Sequence, residues 1–127
     1  ESDVEIELPK TEKRIYKSFK VNFNKINWLI SIELSYDTSL NDLLEVGPHL
    51  IKEPSTEPNV KQIGIRLSLT HPFMVEYAGT ENGKIEPILK MAAAIGLAEI
   101  IAKESGAKTQ GEIRRNFNQL ITKISQS

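Results

Sequence analysis

The side chains best suited to acid–base or metal chemistry in this sequence are its two histidines, His49 and His71. A zinc site needs three or four nitrogen, sulfur or carboxylate ligands, commonly spaced as in His-x-x-x-His or Glu-x-x-His. The sequence contains neither a His-x-x-x-His nor a Glu-x-x-His pair, and it contains no cysteine. We therefore predict no metal ligands and no cofactor-binding residues in this chain.

His71 is more suggestive, because it follows an alternating apolar run and is followed by Pro72 and Phe73. A histidine acting as a general base also needs a nucleophile or an orienting carboxylate. Glu45 and Glu76 are candidates, but the sequence does not place either beside His71. Because Pro72 restricts His71 to an extended backbone and cannot donate to a strand ladder, we predict a structural motif that ends a strand, with no catalytic residue.

A basic segment near the C-terminus, "GEIRRNFNQLI", offers a different chemistry. Arginine and asparagine contact phosphates and base edges, so Arg114, Arg115 and Asn118 are candidate contacts to nucleic acid or to a protein partner. The last 25 residues carry five Lys/Arg against two Asp/Glu, whereas the whole chain has a net charge of −1. Three excess positive charges neutralise few phosphates, so a solvated or protein-facing surface is the competing interpretation.

The common signatures of nucleotide and hydrolase sites do not occur in the sequence. It has no Gly-x-x-x-x-Gly-Lys-Ser/Thr loop, no Gly-x-Gly-x-x-Gly and no Gly-x-Ser-x-Gly. No stretch approaches the roughly 18 uncharged apolar residues of a membrane span. The composition favours a cytoplasmic protein with no membrane partner, since cysteine is absent and 26% of the residues are charged.

The elements that would position these residues begin with strands. Residues 18–35 alternate apolar and polar side chains on both sides of a polar "NKIN" turn, which predicts a β-hairpin. Residues 36–51 contain a short apolar patch that fits either one helical turn or a third strand. "KEPSTEPN", residues 52–59, predicts a surface loop. Residues 61–70 alternate again and predict a further strand with one solvated face.

The last third of the chain predicts two helices. Glu86 and Pro87 suit a helix N-terminus, and the following "ILKMAAAIGLAEIIAKE" is apolar nearly all round, so we expect that helix to be buried on most sides. Gly106 fits the position just past a helix end. The second helix, residues 110–124, predicts one apolar stripe, from which Phe117, Leu120 and Ile121 should meet the first helix and the strands. The stripe consists of Ile113, Phe117, Leu120, Ile121 and Ile124.

These elements predict an α+β fold, in which an antiparallel sheet of about four strands packs against a C-terminal antiparallel helical hairpin. We assign residues 1–17 to an N-terminal arm or linker and residues 18–127 to a single domain. The chain starts at Glu1 rather than methionine, from which we expect either a piece of a larger protein or a processed chain. Bulky residues in place of Ala93 or Gly96 should overpack the helix against the sheet by roughly 1–3 kcal/mol.

A family resemblance adds to this interpretation. "GIRLSLTHPFMVEY", followed by "IEPILKMAAAIGLAEIIAKESGAKTQGEIRRNFNQLI", resembles the C-terminal domain of large prokaryotic ATP-binding proteins. Their N-terminal ATPase module is of the gyrase B, heat-shock chaperone, histidine kinase and MutL type, and they are encoded near restriction-modification or phage-defence genes. With the upstream "FKVNFNKINWLISIELSYD", the resemblance covers residues 18–124. The Asp-x-Gly-x-Gly loop of that ATPase module does not occur here.

The resemblance implies a non-catalytic interaction or assembly domain of a larger ATP-binding protein linked to restriction or phage defence. Any ATPase activity would belong to the parent protein, so we expect no cofactor in this fragment. The expected partner is a second copy of the chain or another protein subunit. The alternative is a DNA-binding module that uses the basic C-terminal helix.

Overall fold

The computed structural model describes residues 15–78 and 82–126, and these form a mixed four-stranded sheet with a C-terminal helix pair, which confirms the predicted α+β class. The strands run in the spatial order β1-β2-β4-β3. Their bounds are Ile15–Phe23 for β1, Ile26–Ser35 for β2, Leu44–Val46 for β3 and Val60–Ser68 for β4. The α-helices are Asn82–Glu104 (α1) and Gln110–Gln126 (α2), and a single π-helical turn spans Met74–Ala78.

The first two strands form the predicted hairpin. β1 pairs antiparallel with β2 in a continuous register from Ile15 opposite Leu34 to Phe23 opposite Ile26. The connecting residues Asn24 and Lys25 both have positive φ, at 53° and 65°. Two consecutive left-handed residues match the right-handed twist of the flanking strands, so the polar turn sets the register of the hairpin.

One pair of strands differs from the predicted antiparallel arrangement. β2 and β4 are parallel neighbours, with Ile30 opposite Ile63 and Leu34 opposite Leu67, whereas β3 pairs antiparallel with β4 on its other side. A parallel neighbour needs a long crossover connection, and residues 36–59 supply it. Of the two interpretations of the apolar patch in residues 36–51, the third strand is the one observed, as β3, and a 3₁₀ turn follows the patch at Pro48–Leu50.

The first helix starts earlier than the sequence predicts. We expected Pro87 at the first helical position, but α1 begins at Asn82 and Pro87 lies inside it. Proline in the second turn removes one intrahelical hydrogen bond, which the carbonyl of Gly83 would have accepted. At the other end the prediction is confirmed, since Gly106, two residues past the last helical residue Glu104, has φ of 97° and its N–H donates to the carbonyl of Lys103.

The hydrophobic core lies between the sheet and α1. Strand residues on the helix-facing side, including Ile30, Ile32 and Ile65, are almost fully buried against Leu89 and Ala93 of the helix. Alternation in the strands and small residues on the helix explain this layer, because a sheet buries every second side chain and alanine lets a helix approach closely.

The opposite face of the sheet is not solvated as predicted. The crossover lies over it, so that Gly64 of β4 contacts the backbone of the 3₁₀ turn, and a β-carbon there would come within 2.9 Å of the Gly47 oxygen and the Ile51 nitrogen. The Gln62 side chain holds the same loop by accepting from the Ser55 N–H at 2.7 Å. Ser68 is buried on this face as well.

The predicted N-terminal arm, residues 1–17, overlaps the first strand. Residues 15–17 belong to β1 and pair with β2, so they are part of the sheet. The rest of the arm, residues 1–14, lies outside the described residues. Within 15–78 and 82–126, no helix is both long and apolar enough to cross a membrane.

Candidate functional site

His71 is buried, with 3% of its surface exposed, and both of its ring nitrogens are engaged. Nδ1 accepts a hydrogen bond from the Phe73 N–H at 3.0 Å. Nε2 lies 2.8 Å from the Thr122 hydroxyl, which itself donates to the Asn118 carbonyl at 2.9 Å. Because Nδ1 is an acceptor, the ring is neutral with its proton on Nε2, and Nε2–H donates to Thr122.

This environment suits a structural connection better than proton transfer. Burial lowers the pKa of His71 from its ordinary value, and Asp42 opposes that shift only in part. The ring joins the turn after β4 to α2, because Pro72 and Phe73 follow it directly and Thr122 lies near the end of that helix. The arrangement leaves neither ring nitrogen available to a substrate.

Asn118 is a second polar connection between α2 and the sheet. Its side chain is 2% exposed; Oδ1 accepts from the Leu44 N–H at 3.0 Å and Nδ2 donates to the Leu44 carbonyl at 2.9 Å. Leu44 lies on β3, the edge strand beside β4. Asn118 therefore satisfies backbone groups that an edge strand would otherwise expose.

Arg114 and Arg115 have different surroundings despite being neighbours. Arg114 Nε donates to Glu99 Oε1 at 2.5 Å, and Arg114 Nη2 donates to Glu99 Oε2 at 3.3 Å. The Arg114 side chain is 17% exposed and the Glu99 side chain 12%. Arg115 is exposed. Of the three residues predicted to contact nucleic acid or a partner, Arg114 and Asn118 thus have partners within the domain, and that prediction now depends on Arg115.

A charged cluster crosses three strands on the face covered by the crossover. Arg66 of β4 is in register with Glu33 of β2 and Glu45 of β3, and it donates to the Glu45 carboxylate. Opposite charges on adjacent strands stabilise the pairing of those strands. Among residues 15–78 and 82–126 there is no group of three or more histidine or acidic residues that could hold a metal ion.

The most distinctive surface is apolar and lies on the side of the helical hairpin away from the sheet. We call it the outer hairpin face and define it by Met91 and Ala98 of α1 with Ile113, Leu120 and Ile124 of α2. The four large side chains are 64%, 75%, 56% and 65% exposed, in chain order. Large apolar side chains with this exposure, on two helices that pack against each other, mark a surface that a partner could cover.

The position of this face follows from helical geometry. At 100° per residue, Ile113, Leu120 and Ile124 lie within about 40° of one another around α2. Asn118 and Thr122, which contact β3 and His71, lie on a different side of that helix. Phe117 and Ile121 lie between the two sides and pack against the core. The exposed aliphatic residues therefore point outward, beside α1.

Two grooves between the helices extend the outer hairpin face inward. One, of about 360 Å³, is lined by Ala98 and Ala102 of α1 and by Ile113 of α2. The other, of about 160 Å³, is lined by Met91 and Phe117 and reaches the core. Both are almost entirely apolar, so water inside them makes few hydrogen bonds and is displaced at little cost.

The sequence misassigned this surface. We predicted that Leu120 meets the core together with Phe117 and Ile121, whereas Leu120 belongs with Ile113 and Ile124 to the exposed part of the stripe. The stripe is wider than one contact with α1 can cover. The width of the stripe could be predicted from the sequence. The burial of Asn118 against β3, which sets how the helix is rotated, could not.

A further apolar groove, of about 460 Å³, lies between β1 and α1. Phe19, Val21 and Phe23 line its sheet side, and Ala94 and Ala98 line its helix side. Lys90 is the one charged residue among those that line it. This groove shares Ala98 with the outer hairpin face, so α1 has incompletely covered apolar surface on both flanks, as its all-round apolar sequence indicates.

No known protein family, curated protein or solved structure matched this chain when it was compared with them.

Proposed function

We propose that this domain is a protein-association domain that binds its partner through the outer hairpin face. The observation that carries the proposal is the exposure of Met91, Ile113, Leu120 and Ile124 on adjacent helices. Soluble domains seldom leave aliphatic side chains clustered in this way unless another surface covers them.

The polar contacts that hold α2 in place support the same function. Asn118 and His71 hold one side of the helix to the sheet, and Arg114 holds its start to Glu99 of α1. The exposed aliphatic side is therefore presented by a helix whose position is fixed by buried polar contacts. A preorganised apolar surface loses little conformational entropy when a partner binds.

The finer proposal is that the domain assembles a larger ATP-binding protein linked to restriction or phage defence. It depends on the resemblance of residues 18–124 to the C-terminal domain of such proteins. In this proposal the domain contributes no catalytic residue, which agrees with the engagement of both His71 nitrogens by Thr122 and Phe73.

Site-specific crosslinking in the native host tests the association. A photoreactive benzoylphenylalanine would replace Leu120 on the outer hairpin face or, as a matched control, Tyr36, which is 49% exposed and follows β2 at the end of the sheet. We expect a discrete adduct from position 120 and none from position 36. Equal labelling at the two positions, or no adduct at either, would refute association through this face.

Sedimentation of the same protein with added DNA tests the alternative of DNA binding. Among the described side chains of α2, the exposed charges are Arg115 and Lys123 against Glu112, which neutralise few phosphates. We expect no change in sedimentation when duplex DNA is added at low salt. A salt-sensitive complex that is lost in Arg115→Glu would support the alternative instead.

A further inference from the structure

The spacing of apolar residues on the hairpin identifies what kind of surface would cover it. On α2 the residues along the edge of the outer hairpin face follow one another at intervals of four, three and four: they are Ile113, Phe117, Leu120 and Ile124. On α1 the neighbouring row follows intervals of three, four, three and four: it consists of Ile88, Met91, Ile95, Ala98 and Ala102.

Alternating intervals of three and four are the pattern of helices that pack side by side with knobs in holes. Two such rows, adjacent on an antiparallel hairpin, make half of a four-helix bundle. In such a bundle the other half presents the same pattern on two antiparallel helices. The chain itself supplies a hairpin with that pattern.

We infer that the partner is a second copy of this chain, and that two hairpins pack face to face across a two-fold axis as an antiparallel four-helix bundle. This inference rests on the proposed association through the outer hairpin face. In the bundle, α2 lies against α2 of the second copy. Ile113 then packs on Ile124 of the other copy, and the exposed part of Phe117, which otherwise packs against its own core, lies on Leu120, so the axis passes beside residues 118 and 119.

The charges beside the apolar row fit this arrangement. Glu112 and Lys123 are exposed and lie within about 20° of each other around α2, at opposite ends of the row. The two-fold axis brings Glu112 of one copy to within about 3 Å, along the helix axis, of the level of Lys123 of the other. The contact occurs twice, so the flank of the face is complementary to itself, as an isologous interface requires.

The groove beside β1 is less suited to a second copy. Its lining contributes a single charge, Lys90, and no acidic residue that would face that lysine after a two-fold rotation. Pairing two such grooves would bring like charges together, which disfavours association. Self-association is thus assigned to the hairpin and not to the sheet side of α1.

Sedimentation velocity on the full chain across a concentration series tests the inference. We expect a reversible dimer, and we expect Leu120→Glu to be monomeric with an unchanged circular dichroism spectrum. Phe23→Glu is the matched control, because Phe23 is 46% exposed but lines the groove beside β1. A dimer that survives Leu120→Glu, or that only Phe23→Glu dissociates, overturns the inference.

A charge swap tests the two-fold register. Glu112→Lys should weaken dimerisation about five- to tenfold, because it replaces two attractive contacts per dimer by two repulsive ones. Adding Lys123→Glu should restore the wild-type dissociation constant. Failure of the second change to rescue the first overturns the register, since an effect of Glu112→Lys on the helix alone would persist in the double variant.

The two proposals fail in different ways. A wild-type chain that is monomeric at all concentrations, yet crosslinks from position 120 to a different protein, removes the second copy and leaves the association. A monomeric chain with no crosslink from position 120 removes both. A crosslinked adduct of twice the chain mass together with a concentration-dependent dimer supports both.

Discussion

Asn118 and Leu44 are 74 residues apart in the chain, and the side chain of the first forms two hydrogen bonds with the backbone of the second. The amide of Asn118 has one donor and one acceptor in the geometry that a neighbouring strand would present to the free edge of β3. A helix residue thereby takes the place of a fifth strand at that position.

Asn118→Ala should lower the free energy of unfolding by at least about 2 kcal/mol, because it leaves two buried backbone groups of Leu44 without partners. The neighbouring Gln119→Ala is the control, since Gln119 is exposed and its loss should change stability by no more than about 0.5 kcal/mol. Urea denaturation of both variants measures the difference. Equal stabilities would show that β3 does not depend on α2.

The two adjacent arginines of α2 should behave differently when truncated. Arg114→Ala leaves the poorly exposed Glu99 carboxylate without its partner and should cost about 1–3 kcal/mol. Arg115→Ala should be within about 0.5 kcal/mol of the wild type, because the side chain is exposed. Thermal unfolding of the two variants side by side provides the comparison. A larger loss from Arg115→Ala would contradict the assigned ion pair.

Local pattern predicted most of the elements but not their arrangement. Alternation identified β1, β2 and β4, and Gly106 identified the end of α1, because strand faces and helix caps are set by neighbouring residues. The parallel pairing of β2 with β4 depends on how residues 36–59 cross the sheet. No local pattern encodes that crossover.

The candidate site shows the same limit. The all-round apolar sequence of α1 predicted more apolar surface than one sheet can cover, and the hairpin grooves agree with it. Which aliphatic residues of α2 are exposed depends on Asn118 and on the bond between His71 and Thr122. These are contacts over 74 and 51 residues, and they determine how the helix is rotated.

Two glycines should respond differently to an added methyl group. In Gly64→Ala the new carbon would lie 2.9 Å from backbone atoms of the crossover, so the loop itself must move. In Gly96→Ala it would meet the end of the Ile65 side chain, and alanine favours the helix by about 1 kcal/mol over glycine, which offsets part of the strain.

We therefore expect Gly64→Ala to destabilise the domain by about 1–3 kcal/mol or more, and Gly96→Ala to cost less. Denaturant unfolding at one temperature ranks the two variants. The reverse ranking would mean that the crossover yields more easily than the core around Ile65. It would then be wrong to describe the second face of the sheet as closely packed.

The stability of the domain should decrease as the pH falls through the range in which the His71 ring takes up a second proton. Burial lowers the pKa of His71 in the folded state, so between the folded value and about 6.5 the unfolded chain binds more protons than the folded one. The contribution of the neutral His71 ring to the free energy of unfolding is complete above about pH 6.5, and it is lost as the pH falls from there through the lowered pKa. Protonation of Nδ1 would also abolish its hydrogen bond with the Phe73 N–H.

His71→Asn isolates this contribution, because asparagine does not titrate but can still accept a hydrogen bond from the Phe73 N–H. Free energies of unfolding measured by urea at several pH values between 5 and 8 should fall more steeply toward acid in the wild type than in the variant. Carboxylates that do not interact with His71 contribute equally in both proteins and cancel in the difference, whereas the opposing effect of Asp42 is part of the His71 contribution. Parallel curves would show that His71 has the same affinity for protons in the folded and unfolded chains. That result would contradict the assignment of a buried, neutral ring between Thr122 and Phe73.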